Sequence, residues 1–142
     1  MLRETVAKAL LINRDHQVLV LRIGEYKGKP ERSHTPDLPG GLVDPNESEH
    51  QAVIREIKEE TGIEVNPNNL TLGYTETKAY PQENKSVTKM LYVGYLDGEF
   101  SVTISWEHEA YEWCDTAKLL DRYKFRPFYE EAIGYLSDNK LL

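Results

Sequence analysis

The sequence has little that would hold the chain together covalently or place it in a membrane. It contains one cysteine, Cys114, so it cannot form an internal disulfide, and a reducing compartment such as the cytoplasm is expected. No stretch approaches the roughly 18 consecutive apolar residues that a membrane-spanning helix needs. We therefore expect a soluble, untargeted protein in which Cys114 is a buried free thiol.

Positive charge is also scarce. Seventeen Lys and Arg residues stand against twenty-four Asp and Glu residues, which gives a net charge of −7. This balance argues against binding of extended nucleic acid through its phosphates, and the four histidines lack the spacing of a zinc site. If the ligand is anionic, its repulsion must be offset locally, and divalent cations held by clustered carboxylates are the obvious means.

The first third of the chain combines apolar runs with turn residues. At 142 residues the chain fits one domain, 1–142, able to bury roughly 68% of its unfolded surface. β-branched runs predict strands at 5–13 and 17–23, joined by a hairpin turn at 13–16. Residues 24–37 are rich in Gly, Pro and charge and predict a long loop.

The second half of the chain alternates strand and turn patterns before ending in helices. Further strands are predicted at 70–80, 86–96, 100–104 and 109–115. A short helix is expected at 116–121 and a longer one at 127–139, with Phe128, Ile133 and Leu136 as its buried stripe.

One further helix is predicted at about residues 46 to 61. Asn46, followed three residues later by Glu49, is a capping signal, and Gly62 is a typical helix end. The buried side of this helix would consist of four apolar residues: Ala52, Val53, Ile54 and Ile57.

Three carboxylates crowd the end of this helix. Residues three and four apart share one side of an α-helix, so Glu56, Glu59 and Glu60 project within roughly 100° of one another. The ordinary explanation is a solvated acidic face, since like charges at these spacings cost only about 0.2 to 0.5 kcal/mol per pair. Energetics alone therefore does not distinguish a surface from a site.

The residues around the cluster favour a site. Glycine at Gly40 and Gly41 allows close approach of a ligand and frees a carbonyl oxygen, a ligand that Mg²⁺ accepts beside carboxylates. Arg55 precedes Glu56 and lies four residues before Glu59, so its guanidinium can orient their carboxylates.

This pattern resembles the Nudix box. Gly41, five residues, Glu47, seven residues and then Arg55-Glu56-Ile57-Lys58-Glu59-Glu60-Thr61-Gly62-Ile63 match all nine defining positions. The resemblance extends to the flanking strands and the terminal helix. It implies an α+β Nudix fold, in which a mixed β-sheet is sandwiched between helices.

The resemblance also implies an activity. Nudix hydrolases cleave a phosphoanhydride in a nucleoside diphosphate linked to another group, releasing a nucleotide and a phosphate-bearing product. Carried over by position, Glu56, Glu59, Glu60 and the carbonyl of Gly40 would bind Mg²⁺ or Mn²⁺. The partner would be a small nucleotide, with neither nucleic acid nor membrane involved.

The general base has two candidates. In this family it comes from the box or from a loop beyond the later strands, so the resemblance implies Glu56 or Glu107. Glu109 is a weaker candidate in the same segment, and Glu47 resembles a box residue with a structural role. For Glu107 a solvated loop position is equally expected.

Signals for substrate contacts are weaker. Arg22, on the second predicted strand, is held in place well enough to contact a substrate. Tyr80, 17 residues past Ile63, resembles a position in diadenosine polyphosphate hydrolases, although Pro81 resembles one in ADP-ribose-cleaving members. Tyr74 and Tyr80 both follow the box and could stack on a nucleobase, with core packing as the usual alternative for aromatic residues in strands and Tyr80 as a partial exception. Four residues of the long loop could meet a polyphosphate or simply be solvated: Lys27, Lys29, Arg32 and His34.

Two alternatives to a hydrolase follow from the same resemblance. A Nudix-like module that senses a nucleotide without cleaving it would typically lack box glutamates, and none is missing here. An isopentenyl diphosphate isomerase would need a catalytic cysteine in a characteristic motif, which Cys114 lacks. Substrates of several kinds remain compatible with the box: nucleoside triphosphates, dinucleoside polyphosphates, ADP-ribose and nucleotide sugars. A homodimer through a sheet edge or the long loop is also compatible with the sequence.

Overall fold

A computed structural model describes residues 1–142 and shows a mixed β-sheet between helices, as the sequence predicted. The strands are β1 (Leu2–Ile12), β2 (Gln17–Ile23), β3 (Pro36–Asp37), β4 (Gly40–Leu42), β5 (Leu70–Tyr80), β6 (Lys85–Tyr95) and β7 (His108–Asp115). The helices are α1 (Glu49–Thr61), α2 (Leu119–Arg122) and α3 (Pro127–Asp138). None of them has the length and apolar character that crossing a bilayer requires.

The two opening strands separate soon after their hairpin. β1 and β2 are paired at Ile12 and Val18, but β1 then runs parallel to β6 while β2 runs antiparallel to β7. Segment 36–42 fills the gap, because β3 pairs with β2 and β4 pairs with β1. Backbone from the loop is thereby held at the centre of the sheet, where a ligand can reach it.

Apolar side chains fill both faces of the sheet. Val53 and Ile57 of α1 pack on one face, and Ile133 and Leu136 of α3 pack on the other. Alternate residues of β1 serve the two cores, since strand side chains point to opposite faces in turn. Phe128, Ile133 and Leu136 are buried as predicted, and so is the free thiol of Cys114.

Helix α1 begins later than its capping signal suggested. Ser48, not Asn46, is the N-cap: its hydroxyl accepts the backbone N–H of Gln51, whose side chain accepts the N–H of Ser48 in return. Both Asn46 and Ser48 are good caps, and the reciprocal pair with Gln51 favours the second. Gly62 ends the helix in a left-handed conformation, as predicted.

The strand expected at 100–104 is wrong. This segment has no sheet partner and instead follows the end of α1, where the backbone N–H of Thr103 donates to the carbonyl of Thr61 and that of Ser105 to the carbonyl of Glu60. Val102 and Ile104 pack against the α1-side core. Burial against a helix end therefore overrode a strand-like composition.

Candidate active site

Two glycines bring β4 against its neighbours. At Gly40, φ is +138°, and a β-carbon there would lie 2.1 Å from the carbonyl oxygen of Ala7. At Gly41, a β-carbon would lie 2.8 Å from the carboxyl carbon of Glu56. Any larger residue would displace β4 or Glu56, so the glycines let the carboxylate of Glu56 rest directly on the backbone.

Arg55 gathers the carboxylates of the box. Its guanidinium contacts Glu47 at 2.7 Å, Glu56 at 3.1 Å and Glu59 at 3.2 Å, and also donates to the carbonyl of Leu42 at 3.3 Å. The hydrogen bond from Arg55, helped by the backbone N–H of Asp44, lowers the pKa of Glu47 to about 2. The orienting role predicted for Arg55 is consistent with these contacts, and Glu47 anchors the arginine.

The three carboxylates of the cluster lie at three depths. The side chain of Glu59 is 58% exposed, that of Glu56 17% and that of Glu60 only 3%. Glu60 accepts the backbone N–H of Gly40 at 2.8 Å, and burial raises its pKa to about 7 despite that hydrogen bond and the nearby charge of Lys8. Burial also raises the pKa of Glu56, although Arg55 opposes the change. One helical turn thus carries a solvated, a half-buried and a buried carboxylate.

A buried carboxylate that the sequence did not reveal lies beneath this cluster. Asp37 accepts four side-chain donors: Tyr129 at 2.8 Å, His108 at 3.0 Å, Arg126 at 3.1 Å and Lys8 at 3.4 Å. Although burial opposes its ionisation, Lys8 and the other donors hold the pKa of Asp37 well below its usual range. Asp37 therefore ties β1, β7 and α3 together.

Lys8 and His108 connect Asp37 to the box. The Lys8 ammonium donates to the carbonyl oxygens of Leu38 and Gly40, both at 3.1 Å. His108 is hydrogen-bonded to Asp37 through Nε2. Its buried Nδ1 has no hydrogen-bond partner, and the nearest carboxylate oxygen of Glu60 lies 3.7 Å away. Burial opposes the charge of Lys8, but Asp37, Tyr129 and Glu60 together outweigh that effect and raise the lysine pKa.

The donor set suits a hard divalent cation. No three acidic, histidine or cysteine side chains lie close enough together to enclose a metal as they stand. Mg²⁺, however, typically uses one or two carboxylates and retains several waters. Glu56 and Glu59 already face one cationic atom, Nη1 of Arg55, at 3.1 and 3.2 Å, and the carbonyl of Gly40 has a second lone pair beside its bond to Lys8. The residues present therefore fit a magnesium or manganese ion.

A cavity of about 960 Å³ opens beside β4, near the upper end of the range of ligand pockets. Gly40, Gly41 and Glu107 line one part of it, and Lys89 and Arg126 line another. Glu56, Glu59 and Glu60 do not line the cavity themselves, but the carboxylate of Glu56 lies against Gly41, which does. The cavity has room for a nucleotide that extends from the box across the sheet.

The remaining predicted site residues separate into two groups. Glu107 and Tyr80 line the cavity, and the charge of Glu107 contributes to the raised pKa of Glu56 after burial and the other nearby groups. Glu109 instead contacts His34 at 2.8 Å. Arg22 is not among the lining residues, and its guanidinium donates to the carbonyl of His34 at 3.1 Å, which holds the loop.

Two aromatic positions behave differently. Tyr74 packs against Phe128 and Tyr135 of α3, with ring centroids 6.0 and 5.3 Å away. This contact agrees with the prediction of core packing. Trp106 is 91% exposed at the edge of the cavity and was not singled out from the sequence.

Comparisons with known proteins agree with the box. The family model described as NUDIX domain matches residues 1–135. The chain is 35% identical over 95 residues to a Caenorhabditis elegans protein named bis(5'-nucleosyl)-tetraphosphatase [asymmetrical], covering 65% of this chain and 67% of that one. It is 27% identical over 119 residues to the Escherichia coli (strain K12) CTP pyrophosphohydrolase, covering 84% and 81% of the two chains.

The fold has a close structural counterpart as well. The crystal structure of a MutT protein from Methanosarcina mazei Go1 superposes with a TM-score of 0.79 and 25% identity, covering 98% of this chain and 96% of that chain. Together with the complete box, these matches show that the chain belongs to the NUDIX domain family and is a hydrolase.

Proposed function

We propose that this protein is a Mg²⁺- or Mn²⁺-dependent pyrophosphohydrolase that cleaves a phosphoanhydride bond in a nucleoside diphosphate linked to a second group. The observation that carries the proposal is the arrangement of Glu56 and Glu59 around Arg55, beside the glycine backbone at the rim of the cavity. Carboxylates that would repel one another are held together at the point where a phosphate chain would enter.

The roles that we propose for the box residues follow how deeply each side chain is buried. Glu56 and Glu59, with the carbonyl of Gly40, would hold the cation, and Glu60 would contribute the oxygen that does not accept the Gly40 N–H. A divalent ion bound there would neutralise phosphate charge and make an attacking water more acidic. Arg55 is the positioning residue, because it restrains the side chains that meet the ion.

The proton of the attacking water needs an acceptor, and Glu56 and Glu107 remain the two candidates. Glu107 lines the cavity and is free of any ion pair, whereas Glu56 is restrained by Arg55. A general base contributes about 10²- to 10⁴-fold to the rate. Glu107→Gln should therefore lower kcat by that amount if Glu107 is the base, with metal affinity unchanged.

The names of the relatives suggest two substrate classes. Dinucleoside polyphosphates are the first, after the worm relative, and nucleoside triphosphates are the second, after the E. coli relative. Both carry the phosphoanhydride that the proposed chemistry requires. A nucleotide-sensing module is the non-catalytic alternative, and the intact set of box glutamates argues against it.

Turnover of a substrate panel tests the proposal. The panel contains triphosphates, dinucleoside polyphosphates, ADP-ribose and nucleotide sugars, each assayed with Mg²⁺, with Mn²⁺ and with chelator. We expect metal-dependent cleavage of one class, abolished in Glu59→Gln and Glu60→Gln. Glu64→Gln makes the same charge change just beyond the helix, in a 76% exposed side chain, and should leave turnover intact.

Two results would contradict the proposal. Full activity in both box variants would remove the metal assignment. Tight nucleotide binding without cleavage of any substrate would favour the sensing module.

A further inference from the structure

Six Lys and Arg residues line the cavity. Lys89 and the three whose charges act on it form what we call the cationic wall: Arg32, Lys78, Lys89 and Arg126. The chain as a whole carries a net charge of −7, so carboxylates to pair with them are plentiful. Only Arg126 forms an ion pair, with Asp37 at 3.1 Å. Glu76 and Glu131 line the same cavity but form no ion pair with the wall, so three of its four cations have no paired carboxylate.

Lys89 has no carboxylate as a partner. It lies opposite Glu76 in the β5–β6 ladder, yet the two form no ion pair, and its ammonium lies 5.7 Å from the ring centroid of Phe128. Burial lowers the pKa of Lys89, and the charges of Arg126 and Arg32 lower it further, while Glu76 opposes them only in part. Gathering these cations costs free energy that an anion would recover.

Arg126 is held firmly and still has donors to offer. Its Nη2 donates to Asp37 at 3.1 Å and to the hydroxyl of Tyr129 at 3.4 Å, and its guanidinium carbon lies 5.1 Å from the Tyr129 ring centroid. Its buried Nε has no hydrogen-bond partner. Because Asp37 is shared with Lys8, one carboxylate faces two cations and a positive charge remains. A planar guanidinium with free donors is suited to a phosphate.

The sheet register gives the distance between the wall and the box. Val6 of β1 is paired with Leu42 of β4 on one side and with Lys89 of β6 on the other. Two strand spacings therefore separate Leu42, whose carbonyl contacts Arg55, from Lys89, which is about 10 Å. This span exceeds a single phosphate group and suits a chain of several.

We propose that Lys89 and Arg126 form a phosphate-binding subsite for a phosphate of the substrate that lies beyond the two joined by the cleaved bond, so that the enzyme prefers nucleotides with a polyphosphate chain to those linked to a sugar. This inference rests on the proposed hydrolase function and names its substrate class. Arg32 and Lys78 contribute long-range attraction at the same wall.

Direct binding of inorganic tripolyphosphate, measured by calorimetry in the presence of chelator, tests the subsite without turnover. Lys89→Gln and Arg126→Gln should each weaken binding about tenfold or more, since a hydrogen bond to a charged group is lost. Arg126→Lys keeps the charge and should recover part of the loss. Lys118→Gln removes an exposed lysine that lies outside the cavity and should change nothing.

Steady-state kinetics on two substrates tests the specificity. With a dinucleoside tetraphosphate, Lys89→Gln should raise KM about tenfold and leave kcat within about twofold, whereas KM for ADP-ribose should stay at the wild-type value. Equal losses on both substrates would overturn the proposal, as would a change that follows the identity of the base and not the number of phosphates.

The two sets of measurements separate this inference from the hydrolase proposal. If the wild-type protein cleaves nothing but its tripolyphosphate binding depends on Lys89, the subsite stands and the hydrolase proposal fails. If metal-dependent cleavage occurs and tripolyphosphate binds the Lys89 and Arg126 variants as tightly as the wild type, the subsite is refuted and the hydrolase stands.

Discussion

Replacing Asp37 by Asn should lower the free energy of unfolding more than an Asp-to-Asn change at an exposed position, because Asp37 links the sheet to α3. The side chain of Asp37 is 6% exposed and accepts Lys8, His108, Arg126 and Tyr129. The amide of Asn retains one acceptor oxygen but no charge. Lys8, whose side chain is 14% exposed, would then be left without a carboxylate at hydrogen-bond distance.

The expected cost follows from that uncompensated lysine. Removing one partner of a buried ion pair costs about 3 to 5 kcal/mol. Because Asn still accepts one hydrogen bond, we expect a decrease in the free energy of unfolding near the lower limit, about 3 kcal/mol. For a chain of this size such a change lowers Tm by about 10 °C.

Urea denaturation at pH 7 measures the effect, and Asp115→Asn is the matched control. Asp115 pairs with Lys118 at 3.6 Å, with side chains 50% and 70% exposed, so its loss should cost less than about 1 kcal/mol. Combining Asp37→Asn with Lys8→Met should cost less than the sum of the two single changes, because the second change removes the unpaired charge.

The pH dependence has a definite sign. The pKa of Asp37 is held below its usual range, so its contribution to stability is complete above the unfolded value of about 3.9 and declines as the pH falls through the folded value. The stability difference between wild type and Asp37→Asn should therefore be constant near neutral pH and shrink below about pH 4. A cost of Asp37→Asn no larger than that of Asp115→Asn would refute the reasoning.

Three further changes test local features of the box. Ser48→Ala should lower the free energy of unfolding by about 1 kcal/mol in urea denaturation, while Asn46→Ala should have almost no effect, because only Ser48 caps the helix. Gly41→Ala should lower kcat at least tenfold while circular dichroism stays unchanged, since its β-carbon would displace the carboxylate of Glu56; wild-type kcat would contradict this. Arg55→Lys should weaken Mg²⁺ binding, measured by calorimetry, by about 10- to 100-fold, because an ammonium does not reproduce the planar contacts to several carboxylates.

The fold was largely predictable wherever the pattern is local. The hairpin turn at 13–16 and the strands 70–80 and 109–115 appear as expected, because alternating apolar residues and turn residues act over a few positions. The short strands β3 and β4 were missed, since two or three residues are too few to show a periodicity. The strand prediction for 100–104 failed for the opposite reason. The composition of this segment suits a strand, but the segment packs against the end of α1 and pairs with no strand.

The candidate site shows the same division. The box lies within 23 residues at helical spacing, so its carboxylates and Arg55 could be named from the sequence, whatever their final role. The contacts of Asp37 reach across 29 positions to Lys8, 71 to His108 and 92 to Tyr129. The one available signal was Lys8 itself, a charged residue inside an apolar run, and it gave no indication of its partner.

The separation of β1 from β2 explains why the two halves of the site differ in this way. A continuous β1–β2 ladder would satisfy its own backbone and leave no place for segment 36–42. Once the strands diverge, Gly40 can take the edge of β1 and Asp37 enters between the strands, where only charged and hydroxyl partners make its burial tolerable. Lys89 and Arg126 line the same cavity as Gly40 and Asp37. The carboxylates proposed to bind the metal therefore come from one continuous helix, whereas the groups proposed to select the substrate come from elements that meet only in the folded sheet.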